Sequence, residues 1–295
     1  MSNPIVSVLM TAYNREKFIE EAIESVLAST LTDFELIIVD DGSKDNTVQL
    51  AKKYADKDAR VRLYVNEKNL GDYPNRNKAA SYATGKYLKY LDSDDLIYPT
   101  GLSVFVNSME QFPEAAVGVT SFVGQEEQPY PFLLPPAAAY EYNFYKNSLF
   151  DIGPSGLIFH TARFKEAGGF SGKRYIGDTE INLKLAARWP VVKIAGSLIF
   201  WRQHGGQEIM AGLNSTGYLE LQLPMYEEAF GNVLCPMPAN KKMAILRYHR
   251  KIAAREIMKL GLQRKKPQLA AQLYKKLGLA PADFFRAAFF MKKRY

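Results

Sequence analysis

Short apolar runs separated by stretches of helical periodicity fill the first 120 residues, and this alternation constrains the chain more than any other feature. It is the pattern of a mostly parallel α/β sheet, in which each crossover between parallel strands carries a helix that covers the sheet. Residues 5–10, 34–39, 61–65 and 87–91 read as strands. Between the first two, Phe18, Ile19, Ala22, Ile23, Val26 and Leu27 share one helical face, with Asn14 placed to cap its start. Val48, Leu50, Ala51, Tyr54 and Ala55 mark a second helix, and residues 75–84 a third that Gly85 would stop. Leu102, Phe105, Val106 and Met109 follow the i, i+3, i+4, i+7 rule ahead of Pro113, and residues 116–121 close the regular part.

Residues 122–150 change character, with Pro129, Pro131, Pro135 and Pro136 among Phe122, Tyr130, Phe132, Tyr140, Tyr142, Phe144 and Tyr145. An irregular stretch of that length inside a compact domain is more often functional than decorative. Regular signals return as a strand over 156–160, helices around 163–167 and 179–188, and a strand over 197–201. Beyond about residue 215 the chain reads as helical. The expected division is therefore a catalytic domain over 1–214 and a mostly helical basic region over 215–295.

With 295 residues and 47% hydrophobic content, the chain has ample material for a core and lacks the composition of a disordered protein. A lone Cys235 leaves no disulfide framework and no all-cysteine metal site. The apolar stretch at residues 5–10 is too short for a signal peptide, and no apolar run reaches the roughly 18 residues of a membrane span. The expected location is the cytoplasm. Charge is uneven: residues 241–295 hold 16 Lys or Arg against two acids, Glu256 and Asp283, an excess of 14. Because the whole chain carries +7, the other 240 residues carry −7. An acidic body with a basic tail presents two surfaces to different partners.

In an open α/β sheet, ligands bind outside the carboxyl ends of the strands where strand order reverses. Three strands here run into polar clusters: Thr11-Ala12-Tyr13-Asn14, Asp40-Asp41-Gly42-Ser43 and Asp92-Ser93-Asp94-Asp95. All three would line one edge of the sheet. Asp92 and Asp94, spaced by one residue, can hold a hard divalent cation and leave sites open for phosphate; a solvated turn with helix-capping acids gives the same spacing. Arg76, between Asn75 and Asn77, suits a nucleobase or phosphate contact, or a surface position beside a helix cap. Asp178 and Glu180 lie near a helix start, where the dipole alone favours acids. His204, in a Gly-rich stretch, fits a ligand or a surface residue. No Gly-x-Gly-x-x-Gly follows a strand, no Gly-x-x-x-x-Gly-Lys-Ser/Thr occurs, and there is no Gly-x-Ser-x-Gly elbow. Nicotinamide and flavin Rossmann domains, P-loop enzymes and α/β hydrolases are thereby set aside.

Over residues 4–205 the chain resembles a family 2 glycosyltransferase with the GT-A fold, a Rossmann-like mixed sheet with helices on both faces. The resemblance rests on Val6 to Asn14, on Val39 to Thr47, on Asn75-Arg76-Asn77 with Gly85-Lys86-Tyr87, and on Leu91 to Asp95. It implies inverting transfer of a sugar from a nucleotide-sugar donor, with uridine as the family-weighted base, to an acceptor hydroxyl. On the donor side, Thr11 and Tyr13 would border the base, Asp40 or Asp41 would accept the uracil N3–H, and Arg76 would contact base or phosphate. Asp92, Ser93 and Asp94 resemble the family's Asp-x-Asp, which holds Mg²⁺ or Mn²⁺ against the diphosphate, and His204 falls where relatives place a histidine near the metal. Asp178 aligns as the base, although Gly177 replaces the glutamate that usually precedes it.

The basic tail resembles no known family. Met243, Leu246, Ile252, Ile257 and Leu260 recur at helical intervals, and the segment from Asp283 to Arg294 sets bulky aromatics beside cations. That composition fits an amphipathic helix on an anionic membrane surface, or equally a helical appendage packed on the catalytic domain. Nucleic acid is not the expected partner, because no recognition motif accompanies the charge. A glycan or lipid-linked acceptor in cell-envelope or exopolysaccharide synthesis is the corresponding expectation. Two other readings stay open: a non-catalytic nucleotide-sugar or glycan-binding relative, and a nucleotidyltransferase.

Overall fold

A computed structural model describes residues 3–120, 128–205 and 216–288. The chain forms two compact units, one of residues 1–139 and 149–204, the other of 140–148 and 205–295.

The first unit is built on an eight-stranded sheet in the order β3-β2-β1-β4-β8-β6-β9-β7. Its centre is β1 (Val6–Ala12), β2 (Phe34–Asp40) and β4 (Tyr87–Tyr90), whose residues are almost all buried. Strands covered on both faces carry continuous apolar runs instead of alternation, and these sequences do so. β1 pairs in parallel with β2 on one side and β4 on the other, so strand order reverses at β1. The pairing aligns Ala12 with Asp40 and Leu9 with Tyr90, which brings the carboxyl ends of three strands to one edge. β3 (Val61–Val65) extends the parallel half beyond β2.

Helices α1 (Ile19–Leu27), α2 (Thr47–Ala55), α3 (Asp72–Tyr82) and α4 (Gly101–Glu110) connect these strands. Ile19, Ala22, Ile23 and Val26 of α1, with Leu102, Phe105, Val106 and Met109 of α4, join one core with Val8, Met10, Leu36 and Ile38. Burial of each of the larger of these side chains contributes about 1.5–3 kcal/mol, which is why the apolar periodicity located these helices.

The sheet is mixed, with four of its seven pairings parallel and three antiparallel. β8 (Leu157–His160) lies antiparallel between β4 and β6 (Val117–Thr120), and β7 (Phe132–Leu134) runs antiparallel along β9 (Val191–Ile194) at the edge. β9 was not foreseen; it is a four-residue run interrupted by Lys193, which is buried all the same. β5 (Leu96–Ile97) pairs with β10 (Ile199–Phe200) in a separate two-stranded sheet. The remaining helices of this unit include α6 (Thr161–Glu166) and α7 (Gly177–Ala186).

Two local expectations are corrected. Asn14 does not cap α1: it adopts φ 54°, and its Oδ1 accepts a hydrogen bond from Lys44 N at 2.8 Å, tying β1's exit to the loop after β2. Gly85 does not stop α3, which ends at Tyr82. A Cβ on Gly85 would stand 2.6 Å from Ser7 N, so glycine is required there for close approach to β1.

The aromatic stretch after residue 127 is structured. It contains β7, α5 (Pro136–Glu141) and a π-turn over Tyr142–Lys146; Phe122 lies outside the described residues. In the second unit, Phe144 packs edge-on against Tyr226 and Phe230, with Tyr140 and Tyr142 also buried, so these aromatics are core. That unit's helices span Gly217–Gly231, Ala239–Leu262, Pro267–Lys276 and Pro281–Ala288. Its apolar cluster includes Leu223, Ala253, Ala254, Ile257, Leu260, Leu273 and Ala287. Met243, expected on the apolar face, is 49% exposed instead. The tail aromatics Phe289 and Phe290 and the cations Lys292, Lys293 and Arg294 lie outside the described residues. No helix among the described residues is long and apolar enough to cross a membrane.

Candidate active site

At the end of β1, Thr11 is partly buried and Tyr13 is exposed. Asp40 and Asp41 follow directly across the pairing, and each is held in a different turn. Asp40 Oδ1 accepts from Gly42 N at 3.0 Å and Ser43 N at 2.8 Å, and Oδ2 accepts from Ser43 Oγ. Asp41 Oδ1 accepts from Asn66 Nδ2 and Leu70 N, and Oδ2 from Gly71 N at 2.9 Å. Asp40 has no exposed surface and Asp41 keeps 3%. Asp41 thus draws the loop before α3 against the β2 edge, a loop whose Gly71 takes φ 88°.

The β4 exit is a closed turn in which Asp95 N donates to Asp92 O at 2.9 Å. Ser93 Oγ donates to Thr11 O at 2.8 Å, joining this turn to β1. Asp94 is buried, and its Oδ2 lies 2.9 Å from both Arg15 Nε and His204 Nε2. The His204 ring stacks on Phe18 at 4.5 Å, which fixes its plane. Asp95 Oδ2 accepts from Ser155 Oγ at 2.7 Å, and Oδ1 from Arg202 N at 3.1 Å. Burial, with Asp92 and Asp94 beside it, pushes the Asp95 carboxyl up to about 7. Below the turn, Lys89 is fully buried, and burial brings its ammonium down to about 7.

Ligand atoms of Asp92, Asp94 and Asp95 all lie within 4.8 Å of one another. Asp92 Oδ1 is 2.8 Å from Arg76 Nη1, yet neither atom finds an aligned hydrogen-bond partner. Three carboxylates with a histidine beside them fit a hard divalent cation by donor type, with Arg76 as the counter-ion of Asp92.

Asp178 sits in the first turn of α7 and is partly buried. Burial, with Asp151 nearby, pushes its carboxyl up to about 7, against the lowering effects of Thr179 N and Arg76. Tyr73 Oη reaches Asp178 Oδ1 at 3.4 Å and accepts from Asp178 N at 3.3 Å. A Cβ on Gly177 would lie 2.7 Å from the Tyr73 ring, which explains a glycine just before Asp178.

Helix α3 joins these parts. Tyr73 meets Asp178; Asn75 Oδ1 accepts from Asn66 Nδ2 while its own Nδ2 donates to Val39 O; Arg76 pairs with Asp72 at 2.7 Å and with Asp92. Arg76 is only 8% exposed at its side chain, so it is a buried member of the acidic site and not a surface arginine. Sequence reasoning missed Tyr73, Arg15 and Arg202, and reached Ser155 only as part of Gly153-Pro154-Ser155-Gly156, a stretch that resembles a family feature flanking the acceptor side. Arg15, two residues past Tyr13, carried a weak signal; Tyr73 and Arg202 act through contacts between distant segments and carried none.

The open mixed sheet, its switch point at β1 and the acidic edge there define a GT-A fold. Two solved structures share it: TarS 1-349 of S. aureus in complex with UDP-GlcNAc, with TM-score 0.69, 21% identity, and coverage of 96% of this chain and 81% of that one; and the mannosyltransferase PcManGT of Pyrobaculum calidifontis in complex with GDP-Man and Mn²⁺, with TM-score 0.61, 17% identity, and coverage of 98% and 87%. Residues 7–167, more than half of the chain, match the family Glycosyl transferase family 2, and the chain belongs to that family. Among curated relatives, an uncharacterised glycosyltransferase of Methanocaldococcus jannaschii is 42% identical over 112 residues, 37% of this chain and 39% of that protein. The uncharacterised glycosyltransferase EpsJ of Bacillus subtilis is 42% identical over 94 residues, 32% of this chain and 27% of that one. The matched stretch spans less than half the length of either relative.

Proposed function

We propose that this protein is an inverting, metal-dependent glycosyltransferase whose catalytic domain lies within residues 1–214. The observation that carries the reading is the meeting, through α3, of an acidic cation-competent turn with a carboxyl poised near neutrality at Asp178. Thr11 and Tyr13 border the donor base, and Asp41, the member of its pair with some exposed surface, accepts the base N–H. Asp40 shapes the loop beneath it. Arg76 offers its remaining N–H donors to the diphosphate, and Ser93 holds the Asp92–Asp94 segment against β1.

In the reaction, Asp178 takes the proton from the acceptor hydroxyl as that oxygen bonds to the anomeric carbon. The bond from that carbon to the diphosphate oxygen breaks on the opposite face, and the nucleoside diphosphate leaves with the electron pair. Asp92, Asp94 and His204 would hold a divalent cation, Mg²⁺ or Mn²⁺, which would supply Lewis-acid countercharge to the departing diphosphate. A UDP-sugar is the donor favoured by the motif resemblance and by the UDP-GlcNAc complex of the TarS neighbour. A glycan or lipid-linked acceptor of envelope or exported polysaccharide is the corresponding proposal for the second substrate.

The decisive experiment is a thermal-shift panel of nucleotide sugars with and without Mn²⁺, followed by product analysis. Asp92→Ala and Asp94→Ala should lose the metal-dependent shift. Asp178→Asn should keep it while transfer falls by about 10²–10⁴. Release of pyrophosphate in place of a nucleoside diphosphate would instead identify a nucleotidyltransferase.

For the second unit we propose contact with an anionic membrane surface. Residues 262–268 form a continuous exposed run containing Leu262, 81% exposed, with Arg264, Lys265 and Lys266 beside it. An apolar side chain among unshielded cations matches a phospholipid interface better than a purely polar partner.

A further inference from the structure

Ser155 and Lys89 lie outside every role assigned above, yet both are bonded into the acidic turn. Ser155, in the 3₁₀ turn Pro154–Gly156 ahead of β8, is 6% exposed. Its hydroxyl accepts from Asp92 N at 3.0 Å and donates to Asp95 Oδ2 at 2.7 Å, so one oxygen staples both ends of the Asp92–Asp95 turn. Its carbonyl accepts from Lys89 Nζ at 2.5 Å. The same ammonium donates to Tyr90 O at 2.6 Å and stands 4.5 Å from the centre of the Phe105 ring. β4 and β8 are antiparallel neighbours, so this link crosses the sheet immediately below the acids.

A lysine with no exposed surface is costly unless its donors are satisfied. Here two main-chain carbonyls and an aromatic face receive it, and one of those carbonyls belongs to the residue that staples the turn. Three carboxylates held this close repel one another; the Ser155 hydroxyl and Arg202 N hold that of Asp95, and Arg15 and His204 hold that of Asp94.

We propose that Ser155, braced by Lys89, is a positioning residue that sets the separation of the Asp92 and Asp94 carboxylates and so the affinity for the divalent cation. This rests on the metal-dependent reading above. Partners that bond to metal ligands typically change affinity by about 10–100-fold when removed.

The test is Mn²⁺ affinity of the full chain by electron paramagnetic resonance titration, with the melting temperature recorded for each variant. Ser155→Ala should raise the Mn²⁺ Kd by about 10–100-fold, and Ser155→Thr, which keeps the hydroxyl, should restore most of it. Lys89→Met keeps the length of the side chain without its charge and should also weaken Mn²⁺ binding; it serves as the second variant should Ser155→Ala fail to fold. A folded Ser155→Ala or Lys89→Met protein with wild-type Kd overturns the proposal, as does a Ser155→Thr protein no better than Ser155→Ala. A wild-type chain that binds no Mn²⁺ overturns the metal reading itself, and this inference with it.

Discussion

Asp178 and Asp40 are both aspartates at the ends of buried elements, and their surroundings give them opposite characters. Asp40 is saturated by donors from its own turn, whereas Asp178 has its carboxyl pushed up to about 7 by burial and by Asp151. A base must be ionised to accept a proton, so kcat/KM should climb about tenfold per pH unit below 7 and level off above it. A pH profile flat from 6 to 8 would sink the assignment. The same shift bears on stability. Between its ordinary pKa of 3.8 and about 7 this carboxyl keeps a proton in the folded state that the unfolded chain has released. Protonation therefore favours the fold on the acid side, and stability declines as pH rises through 7. Asp178→Asn cannot ionise, so its melting temperature should fall less between pH 6 and pH 8 than that of the wild type. Equal falls in scanning calorimetry would contradict the raised pKa.

Elements were legible where periodicity and burial agree. The first two strands were legible because their apolar runs are buried almost throughout. α4 was legible because all four of its periodic residues enter the core. Helix starts and stops were read less well, since Asn14 and Gly85 have the residue types of caps but serve tertiary contacts. Gly85 gives a direct test. An added methyl would press on the main chain of Ser7 and Val6, at 2.6 Å and 2.8 Å, where no flexible side chain can give way. Gly85→Ala should destabilise the protein by about 1–3 kcal/mol in denaturant unfolding. A variant within a few tenths of a kcal/mol of wild type would show that β1 and the Gly85 turn are free to separate.

At the scale of the molecule, charge separates along the chain. The excess of 14 cations after residue 240 was visible by counting, but its surface distribution was not. Several of these cations are used internally: Arg250 pairs with Glu227 and Asp283, Lys259 with Glu256, and Lys276 with Glu220. The exposed run around Arg264, Lys265 and Lys266 is the better candidate for a membrane. Reversing these three to Glu should weaken sedimentation with anionic liposomes by more than about two orders of magnitude, since loss of the three cations alone costs about 1 kcal/mol each. Unchanged binding would count against this corner. Charge reversal is a cleaner test than removing the residues after about 280, because Ala287 belongs to the apolar cluster of the second unit.

The main strands and helices of the first 120 residues, the three polar strand ends and the family were decided by local pattern, since apolar periodicity and short motifs are properties of consecutive residues. Which partners those motifs acquire was decided only by the tertiary structure. Tyr73 reaches Asp178 across 105 positions, His204 reaches Asp94 across 110, and Ser155 reaches Asp95 across 60. Hydrogen bonds and ion pairs of that kind depend on distance in space, and no periodicity along the chain encodes them.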